Sequence, residues 1–195
     1  MASRLWLITA SAFALLALLA WPFDNAALLW QPDKPWRAFT APFAHLSFLH
    51  LIANLTGCVV VGVLGQMAQC PPRMSGAWLL AWPLTQWGLL LRPDLIRYGG
   101  LSGLLHAGVA IIIVALLTRG GAQHARERRI GLALFAGLLL KLWVDEPFGP
   151  AAQTREGWDM AIAPFAHLSG AFSGAICGGV AALWGARVRR NPGRP

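Results

Sequence analysis

The apolar residues of this chain fall into six long blocks, and this pattern restricts the fold more than any other feature. The blocks span residues 5–21, 46–67, 74–91, 101–118, 130–144 and 165–186. A helix of about 20 apolar residues crosses the hydrocarbon core of a bilayer, and each block reaches or approaches that length. Of the 195 residues, 56% are hydrophobic and 12% charged, which leaves little sequence for a soluble domain. The sequence therefore predicts an all-α membrane protein, a six-transmembrane-helix bundle forming a single domain over residues 1–195.

The first block has a second interpretation, because a basic residue followed by an apolar core also begins a secretory signal peptide. Arg4 provides the basic residue. The block ends in Trp21-Pro22-Phe23, which is a poor cleavage site because signal peptidases require small residues there. We therefore expect the first block to remain as a membrane helix.

The distribution of charge predicts the orientation. If the six blocks alternate in direction, ten basic residues and one acid, Glu127, fall on one side of the membrane: Arg4, Arg73, Arg119, Arg126, Arg128, Arg129, Arg187, Arg189, Arg190 and Arg194. By the positive-inside rule this side is the cytoplasm, so both termini should be cytoplasmic. The net charge of +8 follows from topology, and no nucleic-acid partner is expected.

Polar side chains inside the blocks gather at one membrane level. The second, fourth and sixth helices all run from outside to inside, so their N-terminal ends share the periplasmic side. Near those ends lie His45, His50, Asn54, Ser102, His106 and His167. An unsatisfied polar group is costly in hydrocarbon, so such a cluster indicates a functional site or a set of buried hydrogen bonds.

Ser102, in the segment YGGLSGLLHAG, is a candidate nucleophile, and a serine needs a neighbouring base such as histidine. His106 lies one turn further along the same helix, whereas His167 comes from another helix. Gly170 and Gly174 follow His167 in a ladder of small residues that would allow close packing against the fourth helix. This geometry favours His167 as the base. The alternative is that the glycine faces only pack and that the serine only fills space.

His50 and Asn54 are four residues apart on one face of the second helix, where both could donate hydrogen bonds to a developing oxyanion. The backbone N–H of Ser102, at a helix N-terminus, is a third possible donor. The alternative is a structural hydrogen bond between His50 and Asn54. His45, nearer the surface, is more suited to a structural role.

Three segments together resemble the signature regions of the rhomboid intramembrane serine proteases: WRAFTAPFAHLSFLHLIANL, YGGLSG and AHLSGAFSG. The resemblance implies that Ser102 is the nucleophile and His167 the base, in a dyad without a carboxylate. It also implies that His50, Asn54 and Gly100 form the oxyanion and substrate-binding side, and that Trp36-Arg37 lies in a loop at the membrane surface. The supporting residues would be His45, His106, Gly170 and Gly174.

At one position this chain differs from most rhomboids, and the difference indicates a particular branch of the family. Rhomboids commonly carry a tyrosine four residues after the serine, where this chain has His106. That histidine, the short chain and the segment KLWVDEP resemble the rhombosortase branch of bacterial rhomboid relatives. This branch implies an inner-membrane enzyme whose site opens to the periplasm. Its substrates would be membrane-anchored exported proteins that carry a C-terminal Gly-Gly signal, an apolar helix and a basic tail.

Lys141 and Asp145 in KLWVDEP are one helical turn apart, and an ion pair that anchors the helix end would explain both residues.

The competing functions are a metal or haem protein, a transporter, a general rhomboid protease with other substrates, and a non-catalytic rhomboid-like protein that binds membrane clients. No HExxH motif occurs, and no cysteine or carboxylate stands at ligand spacing beside the histidines in sequence. We therefore expect no metal and no cofactor.

Overall fold

The computed structural model describes residues 4–190. Six helices of 16 or more residues account for most of that range: α1 (Arg4–Ala20), α2 (Phe48–Met67), α3 (Pro72–Trp87), α4 (Ser102–Leu117), α5 (Ala125–Asp145) and α6 (Pro164–Arg190). Within the described range there is no β-strand, only two isolated bridges. The all-α prediction is therefore confirmed for these residues. Arg194, one of the ten basic residues assigned to the cytoplasmic side, lies outside them.

Two of the helices are long and apolar enough to cross a membrane by length and composition: Phe48–Met67, with mean hydropathy 1.9, and Pro164–Val188, with mean hydropathy 1.4. Arg4–Ala20 and Ser102–Leu117 are apolar but shorter. The fifth helix begins at Ala125, five residues before the predicted block, because the charged residues of its first turn are compatible with a helix although not with hydrocarbon. The third helix ends in a 3-10 turn, Gly88–Leu91.

α4 is the central helix of the bundle, and most of its side chains are buried. It packs most closely against α6, where Gly170 faces Gly103, Gly174 faces Ala107 and Gly178 faces Ile111. Each pair lies four residues beyond the previous one, so the two backbones run side by side over several turns. This contact holds the first turn of α4 next to the first turns of α6.

Two tryptophans connect the remaining helices to this centre. Trp6 of α1 stacks on Trp78 of α3 with 4.5 Å between ring centroids. The Trp6 indole donates to the Val61 carbonyl in α2 at 2.9 Å, and the Trp78 indole donates to the Leu104 carbonyl in α4 at 2.8 Å. Buried indole N–H groups require such acceptors, and here each one fixes the spacing of two helices.

The segment between α1 and α2 folds over the end of the bundle where α4 begins. Arg37 donates to the carbonyls of Ala26 and Leu29, and Trp87 of α3 donates to the carbonyl of Pro35. The backbones of Trp30 and Tyr98 form an antiparallel bridge. The loop that carries Trp36-Arg37 is thereby joined to the segment immediately before Ser102.

Candidate active site

Ser102 is the first residue of α4, and its hydroxyl faces His167 in the first turn of α6. The distance from Ser102 Oγ to His167 Nε2 is 3.1 Å. His167 is buried and Ser102 is partly buried, and both line a cavity of about 410 Å³. Of the two histidines considered from the sequence, it is His167 whose ring nitrogen lies at the serine hydroxyl.

His106 has a different position. Its Nδ1 lies 2.7 Å from the backbone carbonyl of Ser102, so this nitrogen carries the proton and donates it. Its ring stacks on the ring of His167, with centroids 4.2 Å apart and planes within 10° of parallel. His106 therefore restrains the plane of the His167 imidazole, and its hydrogen bond goes to the Ser102 carbonyl and not to the serine hydroxyl.

The other nitrogen of His167 contacts a carboxylate, which the sequence-based expectation of a dyad did not include. His167 Nδ1 lies 2.7 Å from Oδ2 of Asp145, the last residue of α5. An ionised carboxylate can only accept, so Nδ1 carries the proton and Nε2 presents its lone pair to Ser102. Asp145 is 5% exposed and pairs with Lys141 as well. The sequence-based interpretation of Lys141 and Asp145 as an anchor alone is therefore incomplete.

No carboxylate stands at ligand spacing beside the histidines in sequence, but the fold brings one close to two of them. Ligand atoms of His106, Asp145 and His167 lie within 4.8 Å of one another. A metal ion, however, binds an imidazole nitrogen in the plane of its ring, and two stacked rings direct their lone pairs along parallel planes that do not meet. Both nitrogens of His167 already face protein partners. The donor set is thus arranged for proton transfer between side chains.

His50 and Asn54 face the same cavity from α2, and both are buried. His50 Nδ1 lies 3.5 Å from the backbone N–H of Leu46, so the proton of His50 is on Nε2. Asn54 Nδ2 is buried without a hydrogen-bond partner among the described residues. Because a buried donor without an acceptor is costly, this amide is a candidate to bind an acceptor supplied by a ligand.

Gly100 lies directly against these two donors. Its φ of +115° belongs to a region that side chains with a Cβ rarely adopt. A Cβ there would also lie 2.5 Å from His50 Nε2 and 3.4 Å from Asn54 Nδ2. Glycine is required at this position for its backbone angle and for the space that it leaves in front of the donors.

Tyr98 is a site residue that the sequence did not single out. Its hydroxyl donates to the Gly100 carbonyl at 3.0 Å, accepts from the Gly103 N–H and lies 3.3 Å from Ser102 Oγ. Burial raises the pKa of this phenol, so it stays protonated. Tyr98 fixes the turn that precedes the serine, and its position as the only tyrosine of the chain, just before two glycines, was the available signal.

His45 lies behind the site. It is fully buried, its Nδ1 donates to the Phe43 carbonyl at 3.0 Å, and its ring centroid is 4.9 Å from that of His50. The backbone N–H and carbonyl of His45 both bond to the side chain of Asn25. His45 supports the ring that faces the cavity and does not line the cavity itself.

Comparison with known proteins shows which proteins the sequence of this chain resembles. The chain is 27% identical over 180 residues to the rhomboid protease GlpG of Photorhabdus laumondii, covering 92% of this chain and 56% of that protein. It is 29% identical over 181 residues to GlpG of Yersinia enterocolitica, covering 89% of this chain and 55% of that protein. It is 30% identical over 190 residues to GlpG of Yersinia pestis, covering 94% and 58% respectively.

The chain thus spans somewhat more than half the length of these relatives. No solved structure matches it at a significant level. The family model of the Rhomboid domain matches residues 32–184, a range that includes the serine, its histidine and the donors on α2. The chain belongs to the rhomboid family of membrane proteins.

Proposed function

We propose that this protein is an intramembrane serine protease in which Ser102 is the nucleophile and His167 the general base. The observation that carries the proposal is the 3.1 Å contact between Ser102 Oγ and His167 Nε2 at the wall of a cavity. His167 takes the hydroxyl proton on Nε2 while Oγ attacks the carbonyl carbon of a substrate peptide bond.

The tetrahedral oxygen that forms carries a negative charge and needs donors. Asn54 Nδ2, which has no protein partner in the described structure, and the His50 Nε2–H face the space in front of Gly100. The N–H of Ser102 belongs to the first turn of α4, where backbone donors have no intrahelical acceptor. Donors fixed in place before the reaction stabilise the developing charge more than mobile ones do.

The intermediate collapses when the C–N bond of the substrate breaks. The leaving amine takes the proton from His167 Nε2, and the acyl group remains on Ser102 Oγ. A water molecule, deprotonated by the same nitrogen, then releases the acyl group as a carboxylic acid. Each proton moves through His167.

A fluorophosphonate probe tests the roles of Ser102 and His167 without a known substrate. We expect the wild type to be labelled, Ser102→Ala to lose labelling and His167→Ala to retain little of it. Ser11→Ala removes an exposed serine of α1 and is the control that should label normally. Undiminished labelling of folded Ser102→Ala would exclude Ser102 as the nucleophile.

We further propose that all six helices cross the membrane as one rhomboid-like domain. Large apolar side chains are exposed on each of the five helices that surround α4: Ile8 and Leu19 on α1, Val59 on α2, Leu80 on α3, Leu140 on α5, and Phe172 and Trp184 on α6. An apolar surface of this extent is suited to lipid.

In the orientation predicted from the basic residues, the protein lies in the bacterial inner membrane, has both termini in the cytoplasm and opens its site to the periplasm. Alkaline phosphatase fused to the C-terminus should therefore be inactive, whereas the same enzyme inserted after Glu156 should be active. An active C-terminal fusion together with an inactive fusion after Glu156 would indicate the opposite orientation in the membrane.

The proposed substrates are exported proteins that end in a Gly-Gly signal, an apolar helix and a basic tail, as in the rhombosortase branch. A segment that reaches Ser102 must be extended, yet unwinding a helix exposes its backbone to lipid. Each glycine weakens a helix by about 1 kcal/mol relative to alanine, so a Gly-Gly pair beside the helix lowers this cost. The basic tail would hold the pair at the periplasmic level.

Co-expression of such a protein with the wild type or with Ser102→Ala, followed by mass spectrometry of its mature C-terminus, tests this substrate class. We expect cleavage near the Gly-Gly pair by the wild type alone. Equal cleavage after the glycines are replaced by leucines would favour a general rhomboid protease with other transmembrane substrates. Identical C-termini in the two strains would exclude the substrate.

A further inference from the structure

The side chain of Asp145 contacts both Lys141 and His167. An ion pair that only anchors the end of a helix would explain the contact with Lys141 but not the contact with His167. An exposed Lys–Asp pair one turn apart on a helix is common and contributes little. Here the carboxylate is buried, and one of its oxygens lies 2.7 Å from His167 Nδ1. The lysine, by contrast, has half of its side chain exposed.

We propose that Asp145 is a positioning residue that completes a Ser102–His167–Asp145 triad, so that this protein uses a carboxylate behind its base. The inference rests on the proposed serine protease function. The carboxylate accepts the Nδ1 proton and so selects the tautomer whose Nε2 can receive the proton of Ser102 Oγ. When Nε2 takes that proton, the ring becomes an imidazolium, and the negative charge beside Nδ1 stabilises it.

The backbone around Asp145 is fixed as this role requires. Asp145 ends α5, and the next residue, Glu146, turns the chain with a φ of +52°. Arg155, from the loop between α5 and α6, donates to the carbonyls of Val144 and Asp145 at 3.3 and 3.0 Å. The end of the helix is thus held from outside while the Asp145 side chain points inward to His167.

The charge of Asp145 is also compensated. Lys141 Nζ contacts both carboxylate oxygens and keeps the group ionised in an apolar surrounding. The groups that face the His167 ring are Asp145 and Lys141 from α5, His106 from α4 and, at longer range, His50 from α2. Asp145 is the only acid in this set, so it alone can favour a positive charge on the ring.

The test uses Asp145→Asn, which preserves the shape of the side chain, and Asp145→Glu, which preserves the charge. The adjacent Glu146→Gln is the matched control, since that side chain is exposed. In serine proteases with a triad, aspartate-to-asparagine exchange lowers kcat by about 10⁴. We expect Asp145→Asn to lower the fluorophosphonate labelling rate by about 10² to 10⁴, Asp145→Glu to restore part of it, and Glu146→Gln to retain it.

A double-mutant cycle separates action through His167 from a structural role. In a His167→Ala background, Asp145→Asn should cause no further loss of residual labelling, because the carboxylate has no imidazole to orient. The same factor lost in both backgrounds would overturn the proposal. So would a wild-type labelling rate in folded Asp145→Asn, while loss of labelling in Ser102→Ala would still support the protease function.

Lys141→Met gives a second readout. If Asp145 acts through the histidine, removing the lysine should cost less labelling than removing the carboxylate, since the contact with Nδ1 remains. Equal losses in the two variants, with equal falls in melting temperature, would show that the ion pair holds α5 in place and that the triad is not formed.

Discussion

Gly170 of α6 lies on the backbone carbonyl of Gly103 in α4 with no room for a side chain between the two helices. Ser102 and His167 precede these two glycines, each within three residues. The contact between Ser102 and His167, the proposed nucleophile and base, therefore depends directly on how closely the two helices approach.

We expect Gly170→Ala to lower both the melting temperature and the labelling rate, because a methyl group would force α6 away from α4. Gly179→Ala on the same helix is the control, since a Cβ there meets no atom within 4 Å. Thermal unfolding in detergent and fluorophosphonate labelling provide the two measurements. Equal behaviour of the two variants would contradict the role of the close approach.

Gly100→Ala should impair catalysis more than folding. Its Cβ would occupy the space beside His50 Nε2 and disturb the donors, and loss of one oxyanion donor costs about 10² to 10³ in rate. Gly157→Ala is matched for backbone strain, because Gly157 has a φ of +81° and open space around it. Both variants should lose stability, while only Gly100→Ala loses most of its labelling.

Asn54→Ala should lower kcat by about 10² to 10³ with little change in KM, since the unpartnered amide is expected to bind charge that exists only in the transition state. Thr56→Val on the same helix removes a hydrogen bond to the Ile52 carbonyl and serves as the control. Cleavage kinetics on a purified substrate give the two constants. A variant that fails to fold would indicate a structural amide.

His106→Phe should retain most activity, whereas His106→Ala should lose about 10²-fold, because a flat ring is needed to keep the His167 imidazole in place and small displacements of a base are costly. Phenylalanine can stack but cannot donate to the Ser102 carbonyl, so the pair separates stacking from hydrogen bonding. If phenylalanine is as damaging as alanine, the hydrogen bond is the important contact. Labelling rates are sufficient for this comparison.

The buried His45 should make the protein less stable in acid. Burial lowers its pKa from 6.5 to about 4, so between these values the unfolded chain binds a proton that the folded protein does not. The contribution of His45 to the free energy of unfolding is fully present above pH 6.5. It falls as the pH drops toward 4, by at most about 3 kcal/mol. The melting temperature of His45→Gln should depend less on pH over this window than that of the wild type. An unchanged slope would contradict the assignment.

Hydropathy located the six helices because burial in lipid or protein demands apolar residues over a fixed length. The alternation of helix direction then brought Ser102 and His167 to one level. Asp145 was not recognised as a site residue, because Lys141 one turn away already accounts for a charge at that position. Its contact with His167 depends on which face of α5 is turned toward α6. The sequence does not show this, because Lys141 and Asp145 lie on the same face of the helix.

Other details also depend on three-dimensional context. The sequence does not show that Gly100 has a positive φ and the neighbouring Gly99 does not, because both are glycines in the same segment. The stacking of His106 on His167 requires the exact spacing of α4 and α6, which the glycine ladder indicates only in outline. The first turn of α5 contains charged residues, so a prediction based on the length of apolar blocks did not include it.

The bridge between Trp30 and Tyr98 has a mechanical consequence. The Trp30 N–H donates to the Tyr98 carbonyl at 2.9 Å, and the Gly100 N–H donates to the Ala41 carbonyl at 3.0 Å, so the loop bearing the exposed Trp36 and the turn before Ser102 form one hydrogen-bonded unit. In the proposed membrane arrangement, with Trp36 at the lipid headgroups, this unit sets the depth of the proposed nucleophile Ser102 relative to the membrane surface. A thicker or thinner bilayer would then change the depth of a substrate helix, while the depth of Ser102 below the membrane surface stays the same. The substrate residue that meets the serine would therefore change with bilayer thickness.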